Sequence, residues 1–385
     1  MNNLVIRPRD TDYVLGSNSP IIFKAVNPSG VWVSRLEFFE NQKLGFETNG
    51  CVLFAAQESF DAQMDLLISN GSIPSDVVAQ FRSMGYMDLG LDGQAHFHSS
   101  PRFLQILTGN GFNGNSQPDP WDVMRKYGVL PWSDLPFSAS ISQAEYLTGI
   151  TPQMTAKAAQ FLSLIGGKAA IQYHFVTNNA PKNIPAFEKA LQQAPLCLGI
   201  ATNDGWNQVT PTDPADIAPN HSIMCYEITG QDCDILDHYV PYEKVLDAEY
   251  PIPYALQGIV TPIFPAPLPA PLPANPTIQQ ESDWLSSISQ WLSSLIKQLQ
   301  GRNLTSNKMN IYNSFISKTN WTLVVTIVLT IANAVVPFMP ADVQATVTTV
   351  LLALAGIFHV NGVNKAALAS AQASVSGTLT PTSGQ

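Results

Sequence analysis

The stretch Asn49-Gly50-Cys51-Val52-Leu53-Phe54-Ala55-Ala56 decides how this chain is understood. A polar loop ends in glycine, a cysteine follows at once, and an apolar run begins that continues through Phe60, Met64 and Leu67 at helical spacing. The pattern predicts a helix over 52–68 with Cys51 at its N-terminus. N–H groups in a first turn have no intrahelical acceptor, and the positive end of the helix dipole lies there, so a thiolate is favoured. A thiolate is the nucleophilic form of cysteine, which makes Cys51 the candidate nucleophile. A buried structural cysteine has the same local signature, so Cys51 needs a base elsewhere in the chain.

That base is His221, at the head of a strand candidate running through Ser222-Ile223-Met224-Cys225-Tyr226. Asp237 closes the next candidate, Cys233-Asp234-Ile235-Leu236. A turn at Thr229-Gly230-Gln231-Asp232 between the two strands brings His221 and Asp237 together. A carboxylate there holds the imidazole in one tautomer and stabilises its charged form, which in turn holds the Cys51 thiolate as an ion pair. Gln42 offers a side-chain amide to a developing oxyanion, beside the Cys51 backbone N–H. This chemistry calls for no metal and no cofactor. His96 and His98 have no third ligand near in sequence and are expected to be structural. His174 is expected in the core or at a sheet edge, and alternation turns His238 away from the base position. Trp206 is assigned to the roof of the cleft by position alone, and Cys225 and Cys233 to the core.

Outward from this centre, helix candidates come first: 74–84 with Ser72 as N-cap, 101–107, 121–127 stopped by Gly128, 141–163 in two pieces, and 185–193. Strand candidates dominate later, at 169–176, 196–201, 222–228, 233–236 and 254–260, with short apolar runs at 21–23 and 31–33 near the start. Helices followed by strands indicate an α+β domain of two lobes, one helical and one antiparallel β, over residues 1–262.

The 385 residues are 45% hydrophobic and only 12% charged, with a formal net charge of −10. Lysine and arginine outnumber the acids after residue 262, so the acidic excess falls on the first domain and argues against nucleic acid as a partner. Four cysteines without a CxxC pattern indicate neither a disulfide framework nor a zinc site. The N-terminal residues lack an apolar signal stretch.

Residues 263–277 alternate Pro with Ala and Leu and are expected to form a polyproline II spacer. Residues 278–301 form an amphipathic helix with Trp284, Leu285, Ile288, Trp291, Leu292 and Leu295 on one face and Gly301 as its stop. Its Ser- and Gln-rich opposite face, with almost no Lys, suits homo-oligomerisation or packing on other helices at least as well as lying on a membrane, and Trp284 and Trp291 also suit a membrane interface. Two uncharged runs, Trp321 to Phe338 and Val343 to Val360, flank a turn at Pro340-Ala341-Asp342. They predict a transmembrane helical hairpin over 319–363, followed by a flexible tail over 364–385. Lys308, Lys318 and Lys365 on the outer flanks set both ends, and with them the first domain, on the cytoplasmic side.

The order Gln42, Cys51, His221, Asp237, with the carboxylate sixteen positions after the base, resembles the papain-like cysteine peptidases over the first 262 residues or so. Supporting segments agree: Asn110 to Trp121 resembles the glycine-rich cleft loop and the start of its helix, Tyr127-Gly128-Val129-Leu130-Pro131 the stretch after it, and Phe187 to Ile200 a helix-then-strand element. Glu40-Asn41-Gln42, Phe46-Glu47-Thr48, Cys51-Val52-Leu53-Phe54-Ala55 and Ser100-Pro101-Arg102-Phe103-Leu104 resemble more closely the divergent members encoded by bacteriophages. The resemblance implies a papain-like fold, hydrolysis of peptide or protein substrates, and the roles given above. The chain departs from the pattern in four ways. Asp237 stands where the family has Asn, the Gln42-to-Cys51 loop is longer, no tryptophan follows Cys51, and too few residues precede Cys51 for an inhibitory propeptide. Control by some other means is therefore expected.

Two functions follow as expectations. One is a membrane-tethered cysteine peptidase, located at a host inner membrane or in a phage particle. The other is a non-catalytic structural or holin-like protein that keeps the peptidase fold as a binding module.

Overall fold

The computed structural model describes residues 4–5, 25–32, 38, 40–212 and 217–264, together with 283, 287 and 290. The chain divides into two compact units, Met1–Arg302 and Asn303–Gln385, and every described residue belongs to the first.

Its elements in chain order are α1 (Cys51–Ser69), α2 (Ser75–Ser83), β1 (Met87–Leu89), β2 (Ala95–Phe97), α3 (Pro101–Thr108), α4 (Pro118–Tyr127), α5 (Gln143–Tyr146), α6 (Pro152–Leu164), β3 (Ile171–Asn178), α7 (Ile184–Leu191), β4 (Leu196–Ile200), β5 (His221–Thr229), β6 (Asp232–Leu236), β7 (Glu243–Leu246) and β8 (Tyr254–Val260). Six strands form one antiparallel sheet in the order β3-β8-β4-β5-β6-β7, and β1 and β2 form a separate hairpin. The architecture is α+β, with helices preceding most of an antiparallel sheet.

Helix α1 is buried on nearly every side, and only Leu66, Ile68 and Ser69 escape full burial. Such a helix needs partners for its polar residues as well as its apolar ones. Asp61 accepts from Ser99 N and Ser99 Oγ at 2.8 and 2.7 Å, and one turn on Asp65 accepts from Phe97 N at 2.6 Å. On another face Gln63 donates to Gly258 O at 3.1 Å and accepts from Val260 N at 2.9 Å. The helix is thus stitched to the segment after β1 by two aspartates and to β8 by one glutamine.

Two apolar cores flank this arrangement. One joins Leu53, Phe60, Met64, Phe81, Phe97, Phe103 and Phe161 among the helices. The other joins Phe187, Leu198, Ile223, Ile235 and Leu246 between α7 and the sheet. Trp121 of α4 lies flat on β8 at Gly258, where an added Cβ would stand 2.1 Å from the indole ring. Neither a strand backbone nor a buried indole can yield that distance cheaply. Gly258→Ala is expected to lower the thermal midpoint by about 5 °C or more, measured by calorimetry. An unchanged midpoint would mean that Trp121 has room to move.

Most of the expected elements are present within two or three residues of their anticipated ends. Ser72 does not cap α2: its N–H donates to Asn70 Oδ1 at 2.9 Å in the exit turn of α1, and Pro74 occupies the cap position without a side-chain bond. Residues 31–32 form no strand. Trp32 is instead a buried anchor, with its backbone N–H on Tyr226 O at 3.0 Å and its indole N–H on Leu191 O at 2.8 Å. The expectations for 21–23, for residues 265–277 of the linker 263–277, for the hairpin 319–363 and for the tail 364–385 lie outside the described residues. Of the amphipathic segment 278–301, positions 283, 287 and 290 are described, and each is helical. Among the described residues no helix is long and apolar enough to cross a membrane.

Candidate active site

Cys51 is the first residue of α1 and is fully buried. Asn49 takes a positive φ of 53°, which its short polar side chain tolerates, and Gly50 then turns the chain into the helix. A side chain at Gly50 would press against Gln105 Oε1 at 2.7 Å, an oxygen that the Tyr146 hydroxyl holds at 2.9 Å, so there is little room for one immediately before the cysteine. Leu53 N and Phe54 N both close on Gly50 O, and no side chain caps the helix.

His221 is the first residue of β5, paired with Ile200 of β4, and Asp237 follows the last residue of β6. Pairing of Met224 with Leu236 across the hairpin carries the two side chains together. His221 Nε2 lies 2.7 Å from Asp237 Oδ1, with both side chains fully buried. Nδ1 of His221 has no oxygen or nitrogen partner. Burial pulls the imidazole pKa down. The charge and hydrogen bond of Asp237 outweigh it, the neighbouring Cys51 sulfur adds to them, and the result is about 9. Cys51, His221 and Asp237 are therefore one contiguous group, assembled from the start of one helix and the two ends of a hairpin.

Asp237 is more heavily held than the sequence suggested. Its Oδ1 also accepts from His238 N at 2.7 Å, and its Oδ2 accepts from Trp206 Nε1 at 2.8 Å and from Lys244 Nζ at 2.6 Å. Lys244 is itself buried, and its Nζ donates further to Tyr239 O at 3.0 Å and to Pro241 O. Burial alone would raise the Asp237 carboxyl. The His221 charge and hydrogen bond, with Lys244 and His238, instead hold it well below the ordinary carboxylate range. Trp206 packs edge-on against His221 at 5.5 Å between ring centroids and bonds directly to Asp237, a closer involvement than roofing the cleft. Lys244 was not singled out from the sequence. Its signal was present in Glu243-Lys244-Val245-Leu246, where alternation puts lysine on the same side as Leu246, and β7 itself was too short to stand out.

Gln42 is fully buried near the same group but is engaged elsewhere. Its Nε2 donates to Glu47 Oε1 at 2.8 Å and to the Tyr239 hydroxyl, which itself donates to Glu47 Oε2 at 2.7 Å. The Tyr239 ring lies 5.6 Å from the His221 ring, centroid to centroid. His238 turns the other way, toward Glu58 of α1, with Nδ1 and Oε1 3.4 Å apart. Burial lowers the His238 pKa to about 4 and raises that of Glu58. His96 lies between Asp65 and Asp92, and His98 between Glu40 and Asp88, with nitrogen-to-oxygen distances of 2.8 to 3.1 Å. His174 is buried on β3, and burial lowers its pKa to about 4. Cys197, Cys225 and Cys233 are buried thiols on β4, β5 and β6. Among the described residues no group of three His, Cys, Asp or Glu side chains is arranged to hold a metal ion.

No family model matches this chain, and no curated protein matches it. Solved structures similar to it include xylellain, a cysteine protease from Xylella fastidiosa, at 13% identity over 68% of this chain and 96% of that one, with a TM-score of 0.46. Digestive procathepsin L 3 of the Tenebrio molitor larval midgut is similar at 13% identity over 65% and 76%, with a TM-score of 0.42. The Carica candamarcensis cysteine protease CMS1MS2, in complex with E-64, is similar at 9% identity over 60% and 97%, with a TM-score of 0.40. At such scores the chemistry of the site, rather than these likenesses, must carry the functional reading.

Proposed function

We propose that the chain is a papain-like cysteine peptidase that hydrolyses peptide bonds through Cys51, His221 and Asp237. The observation that supports it most is a buried imidazole with one nitrogen 2.7 Å from a carboxylate and with a cysteine sulfur at a helix N-terminus beside it. In this reading Cys51 attacks the peptide carbonyl as a thiolate and forms an acyl-enzyme. His221, charged at rest, gives its proton to the departing amine, then takes one from the water that releases the acyl group. Asp237 fixes the ring with Nε2 turned away from the sulfur and stabilises its charge. The backbone N–H of Cys51 faces the developing oxyanion, with the Gln42 amide as the second donor once it is released.

The raised pKa of His221 sets a pH dependence. The imidazolium is present below about 9 and is lost above it. Peptide hydrolysis is therefore expected to hold across neutrality and to fall as pH rises through about 9, in a pH profile of kcat/KM. A basic limb near 6.5 instead would mean that Asp237 does not support the charged ring.

The test of the assignment is labelling with an epoxide inhibitor of cysteine peptidases, followed by mass spectrometry, with His221→Ala as control. Modification of Cys51 that depends on His221 supports the reading. Equal modification of Cys197, Cys225 and Cys233 defeats it. We also propose, on the sequence alone, attachment to a membrane through 319–363, self-association through 278–300 and a phage origin. Deletion of 319–363 is expected to release the protein from liposomes in a flotation assay, and continued flotation would point to 278–300 instead.

A further inference from the structure

An amide nitrogen carries two hydrogens. Both of those on Gln42 Nε2 are taken, one by Glu47 and one by the Tyr239 hydroxyl. The three side chains close a ring, because Tyr239 donates back to Glu47 Oε2. Gln42 is fully buried, and its own Oε1 is left without a partner, a costly state for a buried acceptor. Glu47 Oε1 also accepts from Asn49 N at 3.0 Å, so the carboxylate is anchored two residues before Cys51.

We propose that Glu47 and Tyr239 are internal competitors for the Gln42 amide, a latch that an incoming acyl group must open. This rests on the peptidase reading above. Three features carry it. Gln42 has no N–H left for an oxyanion while both bonds stand. A carboxylate beside the amide opposes negative charge growing on the substrate oxygen. Glu47 is only half-buried, in a loop whose Lys43 and Gly45 are exposed, so it can turn to solvent while Gln42 stays in place. The loop between Gln42 and Cys51 supplies Glu47 to this latch, and Tyr239 reaches it from beyond β6. Opening breaks the Glu47–Gln42 and Tyr239–Gln42 bonds and frees both N–H groups, one of which serves the tetrahedral oxyanion. Glu47 and Tyr239 thus act on the reaction through Gln42 and are positioning residues.

The test uses the full chain, fluorescein-labelled denatured casein as substrate and iodoacetamide as alkylator. Alkylation reports the thiolate and needs no oxyanion donor, whereas hydrolysis needs both. The ratio of the two rates is compared for the parent chain, Glu47→Gln, Tyr239→Phe and the double variant Gln42→Ala with Tyr239→Phe. The ratio is expected to rise about tenfold in Glu47→Gln and in Tyr239→Phe, part of the roughly 10²- to 10³-fold worth of one oxyanion donor. The gain is expected to vanish in the double variant. Thermal midpoints show which variants are folded, and either single variant suffices. A ratio that stays level or falls, with Cys51 still alkylated, overturns the latch and leaves the nucleophile standing. A parent chain in which iodoacetamide marks Cys51 no faster than Cys197 overturns the nucleophile, and the latch with it.

Discussion

On the proposed peptidase reading, Cys51→Ala is expected to lower peptide hydrolysis by about 10⁴-fold or more in kcat, because the acyl-enzyme would form on its sulfur. The substitution removes one buried sulfur from a small apolar cluster with Leu4 and Val52. Its effect on folding is therefore modest, a fall in thermal midpoint of no more than about 4 °C. The pairing of a large catalytic loss with a small stability loss is the signature to look for. Cys225→Ala is the matched control, since Cys225 is as buried but lies in the sheet against Cys233. It should keep activity. Hydrolysis retained in Cys51→Ala would remove Cys51 as nucleophile, and equal losses in both variants would point to packing rather than chemistry.

Lys244→Met is expected to have the largest effect on folding. The lysine nitrogen is buried on Asp237 Oδ2, Tyr239 O and Pro241 O, and methionine fills a similar volume without donating to any of them. Breaking a buried ion pair from one side costs about 3–5 kcal/mol, since the remaining charge stays desolvated. Chemical denaturation measures that loss directly. The same change acts on the base. Lys244 draws the carboxylate toward itself, in competition with the imidazolium. Without it Asp237 favours the charged ring more strongly, so the basic limb of the pH profile is expected to move above about 9. A limb that moves down would show that Lys244 supports the His221 charge rather than competing with it. Unchanged stability would show that Lys244 is held in solvent instead of on Asp237.

Much of the site was legible because its parts carry local signatures. A polar loop ending in glycine before an apolar run at helical spacing predicts a helix start, and α1 begins at Cys51. Strand β8 was visible from Tyr254 to Val260 because Tyr254-Ala255-Leu256 and Ile259-Val260 are apolar on either side of Gln257 and Gly258. The β1–β2 hairpin and β7 escaped because three or four residues are too few to establish a period. Trp206 was noticed for its position alone, and only its hydrogen bond to Asp237 gives it a role.

The amino-acid sequence by itself determined the helix that presents Cys51, the hairpin whose pairing joins His221 to Asp237, and the α+β order of elements. Each depends on hydrophobic periodicity and turn residues within a few positions of one another. Only the tertiary structure decided what surrounds those groups. Lys244 reaches Asp237 from the neighbouring strand, and Tyr239 and Glu47 meet Gln42 across 197 and 5 positions of chain respectively. A hydrogen bond depends on where two atoms end up within about 3 Å, and that is set by how the sheet and the loop before α1 pack, not by the identity of either residue.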